Sequence, residues 1–363
     1  MTTALDNPPL PIEGPGILPP RREVDGSGQW RNLLLAFIGP LVIAAVFVAL
    51  LLSAFHQPIP HALPVGVVAH PAVARQLQVA LDTYEPGGFD LRSYSDVAEA
   101  RVGVIDGDVD ASVTVAPGGL RLLTAGAGGV SPVQTLTGAF DAVAAQTGQR
   151  LSVVDLVPPL SRDSEGFSAF FLVLGVLFPS LIVGVGFSLA LKNSPLAWRL
   201  GVLVLVPVLL GVIAASIADE VAGFGNFPTV AGIVALFSLA VSVPTAALAR
   251  IRPVGIVLAF LVFTIFAIPV SGGPGGAAPF APGFERLLDP VLPLGVAVDA
   301  LRSAVYFHGH DVGLRVLVLA LWAASGGVML ALLIFQRLPQ STTAPQNGSR
   351  RSVSVAAPVR TNS

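Results

Sequence analysis

What most limits the folds open to this chain is the layout of its hydrophobic runs: one near residue 33, a polar stretch over 56–165, and five further runs after residue 166. Each run is about twenty nearly uncharged residues, the length an α-helix needs to cross roughly 30 Å of hydrocarbon. With 53% hydrophobic and 12% charged residues and a mean hydropathy of +0.77, the chain lies outside the soluble globular range. The expected fold is an α-helical polytopic membrane protein with six transmembrane helices and an extracytoplasmic α/β domain inserted between helices 1 and 2.

Residues 1–30 are rich in Pro and Gly, with Arg21, Arg22, Glu23 and Asp25 but no apolar periodicity, and read as a disordered tail. Residues 339–363 read as a second one. The first span, Leu33 to Phe55, is too long for a signal-peptide core and has no cleavage site after it, so it reads as a retained anchor.

Over 56–165 strand-like and helix-like segments alternate. Strands are expected at Leu63 to Ala69, Phe89 to Tyr94 and Leu151 to Val157, and a hairpin of Ala111 to Val115 with Leu120 to Thr124 around Pro117, Gly118 and Gly119. Helices are expected at Pro71 to Tyr84, after a Ser95 cap with Glu99, and at Pro132 to Thr147. The remaining spans are Phe167 to Leu191, Leu200 to Ile217, Phe227 to Ala249, Val254 to Val270 and Leu314 to Phe335.

Charge bias sets the orientation. A cytoplasmic N-terminus leaves Lys192, Arg199, Arg250, Arg252 and Arg337 inside with the arginines of both tails. Only Arg286, Arg302 and Arg315 fall in short outside segments, together with Asp219 and Glu220. The positive-inside rule then favours a cell (inner) membrane protein with both termini cytoplasmic and residues 56–165 outside.

Absences narrow the chemistry. The single lysine, Lys192, lies between Leu191 and Asn193, so a phosphate-binding Gly-Lys-Ser/Thr loop is missing, as are G-x-S-x-G, H-E-x-x-H and a strand-to-helix G-x-G-x-x-G. Lack of cysteine excludes disulfides and thiolate chemistry. No basic patch points to nucleic acid, and no cofactor or enzymatic activity is expected. The centres of the spans carry no ionisable residue, which disfavours an ion-driven carrier acting alone. Pro40, Pro179, Pro207 and Pro244 interrupt the spans, either as kinks in a moving pathway or as ordinary membrane-helix residues.

Two short motifs read as loops. Asp106, Asp108 and Asp110 alternate as in a calcium loop but lack the closing Glu, and the H-x-H-D of His308, His310 and Asp311 has no further strong metal ligand nearby. The stretch from Ser271 to Gly313 is too apolar for an exposed loop and too broken for a span. It should dip into or lie along the outer leaflet, ending in an amphipathic run from Val296 to Tyr306 that contains Arg302.

One anchored span, an external α/β domain and five further spans resemble the permease subunits of type-2 ABC exporters, in the branch of the YhgE/Pip phage-infection proteins. The resemblance is carried by L-P-V-G-V-V at residues 63–68, S-D-V-A-E-A-R at Ser95 to Arg101, and D-G-D-V-D-A-S-V-T-V-A-P at Asp106 to Pro117. It also rests on Pro279 to Arg302, similar to that family's re-entrant segment. The outer segment with Pro282, Phe284, Pro293 and Arg302 either lines an exit for an amphipathic substrate or only seals the bundle. The resemblance implies a homodimer or heterodimer in membrane lipid, docked to a separate ATPase subunit through Lys192, Asn193 and Arg199. That loop is short for the family. The function implied is outward movement of a lipid-like or amphipathic substrate with a partner's energy. The alternative is a non-transporting envelope protein whose external domain binds a cell-wall component, phage or protein.

Overall fold

The structure is a computed structural model, and it describes residues 38, 41–52, 60–116, 118–191, 193–251, 253–275 and 283–336. The expected tails, the ends of the first span, Lys192 and Pro282 lie outside the described residues. The chain divides into two units, Met1–Leu52 and Ser53–Ser363. In the first, Leu41–Leu52 forms an apolar helix, α1.

The second unit opens with a five-stranded sheet: β1 (Leu63–Val68), β2 (Phe89–Ser93), β3 (Ala111–Ala116), β4 (Gly119–Thr124) and β5 (Arg150–Asp155), in the order β2-β1-β3-β4-β5. All neighbours are parallel except the β3–β4 hairpin. Three helices return the chain between parallel strands: α2 (Pro71–Tyr84), α3 (Val97–Asp106) and α4 (Val130–Thr147). Alternate residues Leu63, Val65 and Val67 of β1 point to one face. They pack with Val113 and Leu122 against Leu77 and Leu81 of α2 and Leu136 and Phe140 of α4.

Local chemistry fixes these boundaries. Pro71 begins α2, where its missing N–H costs nothing, and the His70 Nδ1 accepts from Ala72 N. The cap of α3 is Asp96 rather than Ser95: its carboxylate accepts from Glu99 N at 2.8 Å, while the Glu99 carboxylate accepts from Ser95 N and Oγ. Those two bonds hold Glu99 below the usual carboxylate range. Asp wins the cap because its carboxylate reaches the third helical N–H and leaves Ser95 to bind back to Glu99. Gly107, at φ 82°, ends α3 in the left-handed conformation.

Four helices are long and apolar enough to cross a membrane: α5 (Ser168–Leu189), α6 (Leu196–Ala222), α7 (Phe227–Leu248) and α12 (Val312–Phe335). Large apolar residues face outward along them, among them Leu205, Ile213 and Ile217 of α6 and Leu314, Leu321 and Leu332 of α12. Helices apolar all round, with such residues exposed, mark a membrane-embedded protein. The remaining expected span, Val254–Val270, is a shorter apolar helix, made of α8 (Val254–Phe260), a π-helical turn at Leu261–Phe266 and α9 (Ala267–Val270). Two further helices, α10 (Gly283–Leu288) and α11 (Pro293–Tyr306), precede α12.

At the centre of the bundle, α7 meets α5, α6 and α12 at small residues. A Cβ on Gly184 would fall 2.5 Å from the Ser242 carbonyl, one on Gly211 2.5 Å from the Ala231 carbonyl, and one on Gly326 2.5 Å from Pro244 N. Hydroxyls bridge α5 and α7: Ser180 Oγ lies 2.7 Å from Ser238 Oγ, and Ser188 Oγ donates to the Ala246 carbonyl at 2.6 Å. Close backbones and interhelical hydroxyl bonds are how helices associate without hydrophobic drive.

Candidate binding cavity at the domain junction

Helix α11 joins the sheet domain to the bundle. Asp299, Arg302, Ser303 and Tyr306 recur at i, i+3, i+4 and i+7, so they share one face of the helix. On other faces Leu294, Val298 and Leu301 enter the core of the bundle. The amphipathic run expected along the outer leaflet is thus covered on its polar side by protein. Tyr306 and Phe307 pack with Val104, Val109, Ala125 and Val157 of the sheet domain.

Polar bonds reinforce the junction. The Tyr306 hydroxyl donates to Asp163 Oδ2 at 2.9 Å, and Asp163 Oδ1 accepts from Ser168 N at the start of α5. Arg162 donates to the Glu220 carbonyl near the end of α6. Trp322 Nε1 of α12 donates to the Val291 carbonyl just before α11. Gly107 sits against Phe307, where a Cβ would come 3.2 Å from the ring.

Between the two parts lies a cavity of about 240 Å³. The sheet domain contributes Asp106, Gly107, Val109, Asp110, Ala125 and Gly128, and the membrane part contributes Asp299, Arg302, Ser303, Phe307, His310, Asp311 and Arg315. Asp110 is surrounded by protein yet keeps some accessible surface, in keeping with its place in the cavity wall. Burial pushes its carboxyl up to about 7, with Arg92 pulling it down and Asp299 pushing it further up. Arg315 Nη1 donates to Ser303 Oγ at 2.6 Å.

The two motifs read separately as loops meet here. His310 Nε2 lies 3.1 Å from Asp108 Oδ1 and 3.8 Å from Asp311 Oδ2. Among the described residues no group of three or more His, Asp or Glu side chains is placed to hold a metal ion, and what joins the two motifs is the His310–Asp108 contact.

Of the residues assigned to an exit, Arg302 is buried in the cavity wall, donating from Nη2 to the Pro274 carbonyl at 3.2 Å, and Pro293 begins α11. Phe284 falls within α10. Of those assigned to docking, Asn193 is exposed. Arg199 is buried: its guanidinium lies 4.5 Å over the Phe187 ring and donates to the Phe187 carbonyl. Asp110, Asp299 and Arg315 carry the cavity and were not singled out as site residues. The Asp-x-x-Arg-Ser-x-x-Tyr spacing was the legible signal for Asp299; for Asp110, only pairing of β3 beside β1 reveals what it faces.

No family model, curated protein or solved structure matches this chain.

Proposed function

We propose that the chain is the integral membrane permease subunit of a type-2 ABC-like exporter, moving a lipid-like or amphipathic substrate outward with energy from a separate ATPase. In this reading Leu33 to Phe55 and Val254 to Val270 are the first and fifth of six spans, both termini are cytoplasmic, and the sheet domain faces out.

The observation that carries it is the distribution of charge along the bundle. The ends of α5 and α6 that carry Arg199, together with Arg250 after α7, lie away from the sheet domain, because Arg199 bonds to Phe187 and Ser188 to Ala246. The opposite ends carry Glu220 and His310, which contact Arg162 and Asp108. Arg199 and Arg250 at one end stand against the cavity-lining Arg302 and Arg315 at the other, and Lys192, Arg252 and Arg337 of the adjoining sequence add to the first end, the side that the positive-inside bias makes cytoplasmic. The π-turn at Leu261–Phe266 is a helix irregularity of a kind frequent at functional sites. Spans without central charges suit an apolar substrate and an external energy source.

Affinity capture from native membranes in mild detergent, with mass spectrometry and ATP turnover of the eluate, tests this. An ATPase subunit should co-elute, and Asn193→Trp on the exposed loop should reduce its recovery several-fold. An eluate without ATP turnover, from a protein that still carries bound envelope material, would favour the non-transporting reading instead. That second reading draws on the junction cavity, whose lining the sheet domain shares with α11 and the start of α12.

A further inference from the structure

The junction cavity holds charges of both signs that do not neutralise each other at close range. Asp110 at the edge of β3 and Asp299 on α11 both line it. Among the described residues, neither side chain takes part in a hydrogen bond or a close ion pair. On the same wall Arg302, only 5% exposed, leaves its Nε without a hydrogen-bond partner. Arg315 stands beside it, tied to Ser303. Groups of this kind are costly to bury without a counter-charge.

The size and chemistry of the space narrow the occupant. At about 240 Å³ the cavity exceeds a bare ion and equals roughly eight waters. The two carboxylates come from opposite sides of the junction, whereas both guanidiniums belong to the membrane part. An ammonium N–H group satisfies the first pair, and a phosphate satisfies the second, since guanidinium is the side chain best matched to phosphate oxygens.

We propose that this cavity binds a compact zwitterion, a primary ammonium joined by a short linker to a phosphate, as in the phosphoethanolamine group. The group would come either free or as a lipid headgroup. The ammonium sits between Asp110 and Asp299, and the phosphate faces Arg302 and Arg315. Because Asp110 faces Arg92 of β2 and Asp299 of α11 and titrates near neutrality, occupation by the ammonium drives its proton off, and affinity rises from pH 6 to pH 8. The inference stands apart from transport, since an anchored receptor would hold the same group.

The test uses the full-length protein in detergent, titrated calorimetrically with phosphoethanolamine. Phosphocholine, whose methyl groups remove every N–H donor, and inorganic phosphate serve as comparisons. Phosphoethanolamine should bind at least about tenfold more tightly than either. Asp110→Asn and Asp299→Asn should each weaken it about tenfold while the monodisperse elution of the protein is kept, and Asp110→Asn should flatten the pH dependence. In parallel, nanodiscs mixing phosphatidylethanolamine with phosphatidylcholine are followed by native mass spectrometry.

Retention of phosphatidylethanolamine that is lost in Asp299→Asn identifies the lipid headgroup as the source. Binding of the free compound without such retention identifies the free zwitterion. Absence of both overturns the proposal, as does equal binding of phosphocholine or unchanged binding in the two Asn variants. Loss of the ATPase partner in the capture experiment would leave these titrations untouched, so the two readings fail separately.

Discussion

The sheet domain and the helix bundle bury their interiors by different physics, although one chain builds both within the same unit. In the sheet domain the core is Leu63, Leu81, Leu122, Leu136 and Phe140, large side chains with little or no exposure. The bundle also buries Phe237 and Phe263, but its helices meet backbone to backbone at Gly184, Gly211 and Gly326 and are bridged by serines. Water drives the first arrangement, because burying apolar surface is itself favourable there. In lipid the outside is as apolar as the inside, so van der Waals contact and hydrogen bonds have to hold helices together. One region should therefore suffer most when side chains are shortened, the other when they are lengthened.

Lengthening in the bundle is the strongest way to break that contrast. Gly184→Leu puts its Cβ against the Ser242 carbonyl and the Thr245 side chain, and neither α5 nor α7 can yield without parting. Loss of monodisperse protein on detergent size exclusion is expected. Gly186, two residues on, has nothing within 4 Å of its would-be Cβ, and Gly186→Leu should leave the elution profile unchanged. Equal damage from both would show that close helix contact is not what holds the bundle.

Shortening in the sheet core comes next. Leu122→Ala removes a fully buried side chain between α4 and the sheet and should cost about 2–5 kcal/mol, read as a lower melting temperature of the full chain. Leu321→Ala, on the outward face of α12, should cost little, because its side chain already lies against the surroundings.

Most elements were legible because their periodicities are unmixed. The helix expected at Pro71 to Tyr84 and the strand beginning at Leu63 sit where the Pro start and the alternating Leu-Pro-Val-Gly-Val pattern put them. The strand expected over Leu151 to Val157 ends at Asp155, because that carboxylate turns to accept from Gly126 N and Val157 N. Such a bond joins residues far apart in sequence and leaves no local mark. The same holds for the cavity. Asp110 and Asp299 each read as an ordinary loop or helix acid, and only folding brings their charges together. Arg199 was legible as a loop cation, but its burial depends on Phe187 in the preceding helix.

The junction sharpens the comparison, because there a charged side chain is buried where neither kind of packing neutralises it. Burial raises the Asp110 carboxyl to about 7 from an ordinary value near 4. The folded state therefore holds the proton more tightly than the unfolded chain. The stability this contributes is complete below pH 4 and is lost as pH rises through 7. Wild-type protein should lose on the order of 2 kcal/mol relative to Asp110→Asn across that window, the full shift being discounted for the carboxyl's accessible edge. Melting curves of both proteins from pH 4 to pH 8 measure it. Parallel curves would mean that Asp110 is ionised and solvated throughout.

The smallest expected effect isolates local helix chemistry from either packing regime. Asp96→Ala removes the acceptor for Glu99 N at the start of α3 and should cost about 1 kcal/mol, with Asp96→Asn or Asp96→Ser recovering most of it. Because α3 is anchored at its far end, where Val104 and Gly107 pack beside Phe307, the loss should appear as faster amide exchange confined to residues 97–100. The cavity end of the helix should be unaffected. Exchange spreading to Asp106 would mean that the cap, and not the junction, fixes this helix, and that the sheet domain depends less on its seat against α11 than the packing of Tyr306 and Phe307 implies.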